Sequence, residues 1–530
     1  MHSMLNREIN DAFLRAYKRS ESADDAALTD TYVSIPSLES MLRTPQHQVV
    51  YGRRGTGKTH ILKYLTRTKR NGGDAAIYID LRTIGSAAGI YGDTSLPFPA
   101  RATTLLVDVV EAIHTSIYDL TLSEVAFVDL LHEIGPRLDA LADAATKVKV
   151  TGDVETETIR AASSEHSRER SLAIEVTPAG PRVSVGAHGS RTQSQSSEAR
   201  RTERGPERVH VTFGQLSGAL RGLVATLPKR KLWIMLDEWS SLPLDLQPFL
   251  ADLLRRNAFT AAGVTVKIGA IERRSRFIQQ GIQGDYVGME LGADTSASID
   301  IDDYLSFEDD RAEVQDFFGA LLFKHVVHLM AERGGGSSGY PSAQEFIRIA
   351  FTEGPAFPRL CFFSEGVPRD ALQIAALAAS LAADSPITES DIDRSNRAYF
   401  RRDKEGRLSA SANDALSEII QLCTENDRRL IALRRPKQTT REVVQELYDF
   451  RLLHRRAQRT SLPDRPVSEK YDLFMVDLGC FEDLLQSGKI RLVDDGGRAP
   501  GIVRTARRED TSSPSRRSSA VLVPSADHWT

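Results

Sequence analysis

Cysteine is scarce in this chain: three residues in 530, Cys361, Cys423 and Cys480, each more than fifty residues from the next. No CxxC pair occurs, which disfavours zinc ribbons, iron–sulfur sites and a disulfide framework. Three isolated thiols fit a reducing compartment. Long hydrophobic runs are also missing. The longest weakly polar stretch, Ala371 to Ala383, is too short to cross a bilayer. The N-terminal MHSMLNREINDAFLRAYKRS carries charge throughout and has no apolar signal-peptide segment. The expected location is cytoplasmic, with no membrane partner. Charge of one sign is lacking as well: 68 Lys and Arg stand against 72 Asp and Glu, a formal net charge of -4. That excludes an even basic coat for bulk nucleic-acid binding and leaves room for a local basic face. With 41% apolar and 26% charged residues, the remainder is ordinary globular composition. The length suggests about three or four domains.

From Gln46 to Thr260 short apolar runs alternate with helical patterns. Gln48 to Tyr51, Ala75 to Leu81, Leu232 to Leu236 and Val264 to Ile271 read as strands. Helices are expected from His60, over Ala102 to Leu122 and over Leu246 to Asn257. Strands separated by helices predict βαβ units and a parallel sheet covered on both faces. Near-continuous apolar character suits strands buried on both sides. Residues 147–208 interrupt this rhythm. TQSQSSE and ARRTERGPER are polar and expected to be disordered, whereas VKVTGDV and AIEVTPAGPRVSVG alternate well enough to hold strands. Beyond Val314 the period is helical: Val314 to Arg333, Ala343 to Phe351 and Leu372 to Leu381, with GGGSSG as a flexible break.

The segment that carries chemistry is Gly52-Arg53-Arg54-Gly55-Thr56-Gly57-Lys58-Thr59-His60, in which Gly52 to Thr59 satisfies G-x-x-x-x-G-K-[ST] at every position. Such a string arises by chance in a chain of this length roughly two times in a hundred. It follows an apolar strand and opens an amphipathic helix, the context the chemistry requires. Glycines let successive backbone N–H groups turn inward around phosphate oxygens, and the helix adds its N-terminal dipole. Lys58 is expected to neutralise β/γ-phosphates, and Thr59 to place its hydroxyl on Mg²⁺. The expected cofactors are therefore ATP and Mg²⁺. LWIMLDEW (232–239) supplies the acidic strand end such a site needs, with Asp237 for the metal and Glu238 to polarise the attacking water. The next strand runs into Glu272-Arg273-Arg274-Ser275-Arg276. Further on, Gly366-Val367-Pro368-Arg369 opens an Ala-rich helix; an arginine in a first helical turn is unfavourable for the dipole, a cost that makes sense if its guanidinium forks onto a phosphate.

GRRGTGKT, LDEW, VKIGAI and GVPRDALQIA, in that order, resemble an AAA+ ATPase, most similarly the origin-recognition/initiator-like branch found as stand-alone bacterial ATPases. The resemblance covers residues 30 to 385 and extends more faintly to 480. It implies that Arg369 is a sensor-2 arginine, that the residue at Glu272 occupies the sensor-1 place, and that Arg273, Arg274 or Arg276 reaches a neighbouring subunit's nucleotide in a homo-oligomer. Glu272 is not the usual Asn or Thr. The implied fold is α/β: a P-loop parallel sheet with helices on both faces, then a helical lid and a C-terminal winged-helix-like domain. The expected division is a helical segment at 1–30, the core at 31–310 with the insertion at 147–208, the lid at 311–395, the winged region at 396–493 and a disordered tail at 494–530.

Within the winged region, helices are expected over Ser409 to Leu422 and Glu425 to Leu433. Thr439 and Glu442 form the pattern of a capping box before a helix that places Val444, Leu447 and Tyr448 on one stripe. VSEKYDLFMVDLGC alternates like the strand of a wing. Residues 431–460 hold eight Lys and Arg against three acids, a local net of +5. Such a module can place a helix in a major groove while arginines grip phosphates. His454 and the other histidines lack ligand spacing and read as structural. Two functions follow: an ATP-hydrolysing switch whose nucleotide state controls engagement of double-stranded DNA or of a protein partner encoded nearby, and a STAND-like ATP-dependent signalling scaffold without DNA binding. Lys58, Glu238 and Arg369 are the expected catalytic residues in the first.

Overall fold

A computed structural model describes residues 2–16, 25–84, 91, 93, 95–146, 148–150, 154–157, 191–193, 200–203, 207–209, 213–281, 285–296, 298–305, 311–332, 342–434, 438–462, 465–466, 468–493, 501–505 and 522–524. The chain divides into two compact units, one comprising 1–83, 228–251 and 263–530, the other 84–227 and 252–262.

The first unit begins with helix α1 (His2–Arg15) and holds a five-stranded parallel sheet. Its strands are β1 (Gln48–Tyr51), β2 (Ala75–Asp80), β3 (Leu232–Asp237), β4 (Val264–Ala270) and β5 (Ile299–Asp300), in the order β5-β1-β4-β3-β2. Helix α2 (Lys58–Asn71) connects β1 to β2. Every residue of β3 and β4 is buried, as their near-continuous apolar character predicted. Lys267, in the middle of β4, is tolerated there because its ammonium donates to the carbonyls of Thr44 and Gln46, each at 2.9 Å. The sheet's order brings the C-terminal ends of β1, β3 and β4 side by side, where parallel α/β sheets bind ligands.

Five helices follow: α3 (Arg311–Glu332), Ala343–Ala350, α4 (Ala356–Ser364), α5 (Pro368–Ala382) and α6 (Glu389–Tyr399). Their apolar stripes share one core, and α1 belongs to it. Phe13 meets Phe346 and Phe351 with ring centroids 6.0 and 6.3 Å apart, and Ile9 and Ala12 are fully buried beside them. The N-terminal helix is therefore part of the helical bundle rather than a separate segment. Helix α6 starts with a capping box in which Thr388 accepts from the Asp391 N–H and Asp391 accepts from the Thr388 N–H. Thr388→Ala removes one of these caps and is expected to cost about 1 kcal/mol in chemical denaturation; an unchanged midpoint would mean that packing alone sets this helix start.

The C-terminal part of this unit comprises α7 (Ala410–Asn426), β6 (Leu430–Arg434), α8 (Gln438–Asp449), β7 (Leu453–Thr460) and β8 (Tyr471–Val476). The strands form an antiparallel sheet in the order β6-β8-β7. Ile419, Ile431, Val444, Leu447, Phe474 and Val476 make a core shared by helices and sheet, a winged-helix-like arrangement. Three expectations are corrected. Glu425 to Leu433 is not a helix: α7 ends with Asp427 in the left-handed region (φ 55) and the LIAL run is strand β6. Helix α8 already includes Thr439 within its first turn, so Thr439 does not stand before the helix as an N-cap; the side chain of Thr439 lies outside the described residues. The tail is not wholly disordered, because β10 (Gly501–Arg504) pairs antiparallel with β9 (Ile490–Val493), and Leu522 bridges to Ile431.

In the second unit, Leu131–Ala145 packs against both Phe98–Ser123 and Phe213–Thr226, burying Leu105, Val109, Leu138, Leu141, Leu220 and Leu223. Among the described residues the inserted segment holds two antiparallel sheets: Val148–Val150 with Glu207–Val209, and Val154–Glu157 with Arg200–Glu203, which also pairs with Arg191–Gln193. The polar ARRTERGPER stretch, expected to be disordered, thus contributes strands. AIEVTPAGPRVSVG and GGGSSG lie outside the described residues.

Candidate nucleotide site

β1 ends at Tyr51 and the loop of the sequence motif begins. Gly55 and Gly57 have φ of 92 and 97, a region that residues with a Cβ rarely enter. A Cβ on Gly55 would also lie 2.8 Å from the Cβ of Arg369. Gly57 is the N-cap of α2 and no side chain caps it, so the first-turn N–H groups of that helix are not taken up by a capping side chain. That is the ordinary composition of an anion site. Lys58 is buried; its ammonium donates to the carbonyls of Gly52 at 2.7 Å and Arg53 at 2.9 Å. Burial lowers its pKa, against the pull of Asp237 and Glu238. Thr56 bonds back to the Arg53 carbonyl at 2.9 Å. Arg54 is exposed, and His60 is turned to the Leu28 carbonyl at 2.7 Å.

Asp237, at the end of β3, is fully buried. The Thr59 hydroxyl donates to its Oδ2 at 2.6 Å, the Tyr78 hydroxyl to the same oxygen at 2.9 Å, and the Glu238 N–H to Oδ1 at 2.8 Å. Room for this carboxylate is made by Gly269 on β4, where a Cβ would come within 2.4 Å of Asp237 Oδ1. A hydroxyl and a carboxylate in contact, both hard oxygen donors, fit Mg²⁺. Glu238 is held in the left-handed region (φ 57, ψ 36), an uncommon conformation for a residue with a side chain. Its carboxylate lies 3.8 Å from Arg82 and 3.4 Å from the Ser241 hydroxyl. Burial, then the neighbouring Asp237 charge, raises its pKa above the ordinary glutamate value.

Arg369 reaches this loop from α5: its N–H donates to the Gly55 carbonyl at 3.2 Å. A small apolar cleft of about 60 Å³ beside the loop is lined by Tyr32, Ile35, Thr56, His60, Phe317 and Pro368. The structure thus brings Lys58, Thr59, Asp237, Glu238 and Arg369 to one place.

Other expectations come out differently. The Arg53 guanidinium turns away from the loop's interior to Asp302 at 2.9 Å and to His454 Nδ1. The Arg53 N–H is also taken by Asp302, at 3.2 Å. Glu272 pairs with Arg455 of β7. Arg273 pairs with Asp472 at 2.7 Å, and Arg274 with Asp449. Arg276 donates its N–H to Gln247 at 2.6 Å. Two of the three arginines considered for a neighbouring subunit are thus ion-paired within their own chain.

Behind the loop, His454, which by spacing reads as structural, joins residues that no motif marks. His454 is buried between Arg53 and Asp477, whose Oδ2 accepts from Nε2 at 2.9 Å. Burial first, then Arg53, depresses its pKa, so the ring is neutral and Nδ1 accepts from Arg53. Asp477 continues to Lys404 at 2.7 Å, and Lys404 to Asp370, the residue after Arg369, at 3.0 Å. Burial opposes the Asp370 charge, but Arg451 and Lys404 outweigh it and hold the carboxyl well below its ordinary range. Lys404, Asp370 and Asp477 have no short-range motif; only the hydrogen-bonding demand of buried charge could have pointed to them.

Among the described residues no helix is long and apolar enough to cross a membrane. No curated protein matches the chain. A solved structure of the Aeropyrum pernix ORC1 protein in complex with DNA matches over 90% of this chain and 92% of that one, at 14% identity and a TM-score of 0.30. A TM-score that low carries no structural detail across. The family comparison falls on the loop itself: residues 15–87, which hold β1, the glycine-rich turn, α2 and β2, match the ORC-CDC6-like family model.

Proposed function

We propose that the protein is a Mg²⁺-dependent ATPase of slow turnover that works as a molecular switch, its nucleotide state read out by the C-terminal winged-helix-like region. The observation that carries this reading is the direct contact of Thr59 with Asp237, together with the buried Lys58 and the start of α2 that no side chain caps. In this reading the backbone N–H groups of residues 55–59 and Lys58 hold the phosphates, and Thr59 and Asp237 hold the metal. Glu238 orients and deprotonates the attacking water, and Arg369 places its guanidinium on the γ-phosphate from the helical bundle. Mg²⁺, when bound, supplies charge neutralisation across the β- and γ-phosphates. The apolar cleft beside Tyr32 and Phe317 receives the base. Release of Arg273 or Arg274 from its intrachain pair would make it available to a second copy of the chain.

The output proposed for the C-terminal region is double-stranded DNA. Three of its basic residues are turned inward: Arg451 to Asp370 at 3.0 Å, Arg455 to Glu272 and Asp300, and Arg456 towards Glu365 at 3.9 Å. That observation favours the second reading, a STAND-like scaffold in which nucleotide fixes a conformation and a protein partner is recruited. Duplex binding as a function of salt separates the two. If three phosphates are gripped, affinity falls about forty-fold between 50 and 200 mM salt. Negligible binding at the lower salt, with Mg·ATP present, would sink the DNA reading and leave the scaffold.

A further inference from the structure

The cis ion pairs at the mouth of the loop have a definite place in the sheet. Tyr51, the last residue of β1 before Gly52, is paired across the ladder with Ala270 of β4 on one side and with Asp300 of β5 on the other. Parallel strands lie about 4.8 Å apart, so Asp300 is one strand from the start of the loop, and Glu272 is two residues past Ala270. Asp302 follows and accepts from the Arg53 N–H at 3.2 Å. Three carboxylates therefore gather where a triphosphate would bring several more negative charges. Two guanidinium groups face them. Arg53, of the loop itself, takes Asp302, and Arg455 takes both Glu272 and Asp300. Arg455 comes from β7, more than 150 residues further along the chain, and only 12% of its side chain is exposed. The residue before it, His454, accepts from Arg53.

We propose that strand β7 is a working part of the nucleotide site: Arg455 is a positioning residue that balances the acids at the loop's mouth, and docking of β7 and binding of ATP reinforce each other. This rests on the proposed ATP site and deepens it. Thermodynamic reciprocity gives the regulatory consequence, because whatever β7 contributes to ATP affinity, bound ATP contributes equally to keeping β7 in place. Loss of the γ-phosphate weakens that hold, and Arg455 and Arg456 can then leave Glu272 and Glu365.

The charge count makes the test one of sign. Arg455→Gln removes one positive charge from the cluster, Glu272→Gln removes one negative charge, and the double variant restores the sum. Equilibrium binding of a fluorescent Mg·ATP analogue to the full chain is the measurement, with a thermal melt of each variant beside it. Arg455→Gln is expected to bind about ten-fold more weakly, Glu272→Gln about three-fold more tightly, and the double variant close to the parent. A merely structural role for Arg455 would not produce tighter binding in Glu272→Gln or recovery in the double variant. If Arg455→Gln does not fold, the other two variants decide: tighter binding and parental binding uphold the proposal, and unchanged or weaker binding in Glu272→Gln overturns it. It also falls if folded Arg455→Gln binds like the parent, or if the double variant stays as weak as Arg455→Gln. A parent that binds no nucleotide removes the ATP reading itself, a result distinct from variants that all bind alike.

Discussion

Lys58→Ala is expected to weaken binding of a Mg·ATP analogue roughly 100-fold or more, the loss of two charge-assisted hydrogen bonds to phosphate at about 1.5 kcal/mol or more each. Lys58 is the one lysine buried in the loop, and it lies directly before Thr59, so no other ammonium of the loop can replace it. Its two bonds go to backbone carbonyls, those of Gly52 and Arg53. An entering triphosphate therefore competes for a donor that is already held at the loop's centre, and the ammonium need only swing from carbonyl to phosphate. Burial lowers the Lys58 pKa, so the protonated form gains more from a polyanion than an exposed lysine would. The same variant should fold, because the carbonyls it leaves face the cavity opened by the deletion and can take water. Parental affinity in a folded Lys58→Ala protein would show that the loop does not hold phosphate in this way.

How far the sequence could reach is clear at particular residues. Strands β1 to β4 were legible because each is a short, mostly apolar run bounded by turn residues, a pattern that suits a buried parallel sheet. The loop was legible because its chemistry is local: Gly52 to Thr59 are neighbours in sequence as well as in space. LIAL was misassigned to a helix because four apolar residues carry no period of their own, and tertiary pairing with Leu473 and Phe474 of β8 settled the matter. The Arg/Lys excess of residues 431–460 looked like a surface property. A local charge sum cannot see that Arg451, Arg455 and Arg456 meet acids at Asp370, Glu272, Asp300 and Glu365, which come from distant parts of the chain. The same blindness hid the contacts of His454, an unremarkable strand residue by spacing and a partner of the loop's Arg53 in space. Glu272, an unusual residue for its place beside this loop, is understood once Arg455 is seen opposite it.

Glu238→Gln is expected to leave ATP bound with near-parental affinity and to slow hydrolysis about 100-fold or more, the usual contribution of a positioned general base. The argument begins with the backbone. Glu238 follows the fully buried Asp237, and its N–H is tied to Asp237 Oδ1 at 2.8 Å. That bond and the left-handed turn go with a side chain that lies toward Arg82 and Ser241. The two adjacent acids therefore have different surroundings: Asp237 accepts three hydrogen bonds, whereas Glu238 is partly buried, with the Arg82 guanidinium 3.8 Å away. Burial and the Asp237 charge raise the Glu238 pKa, which makes its carboxylate a better proton acceptor near neutrality. A second consequence is a pH dependence with a fixed sign. The base works only when deprotonated, so hydrolysis should fall on the acid side at a higher pH than an unperturbed glutamate would give, while ATP binding, held by Lys58 and the backbone, persists through that range. Single-turnover hydrolysis measured against pH, beside equilibrium binding of the same nucleotide, separates the two. A Glu238→Gln protein that hydrolyses ATP at the parental rate, or an acid limb common to binding and hydrolysis, would move the base to another residue and leave Glu238 with a purely positional part.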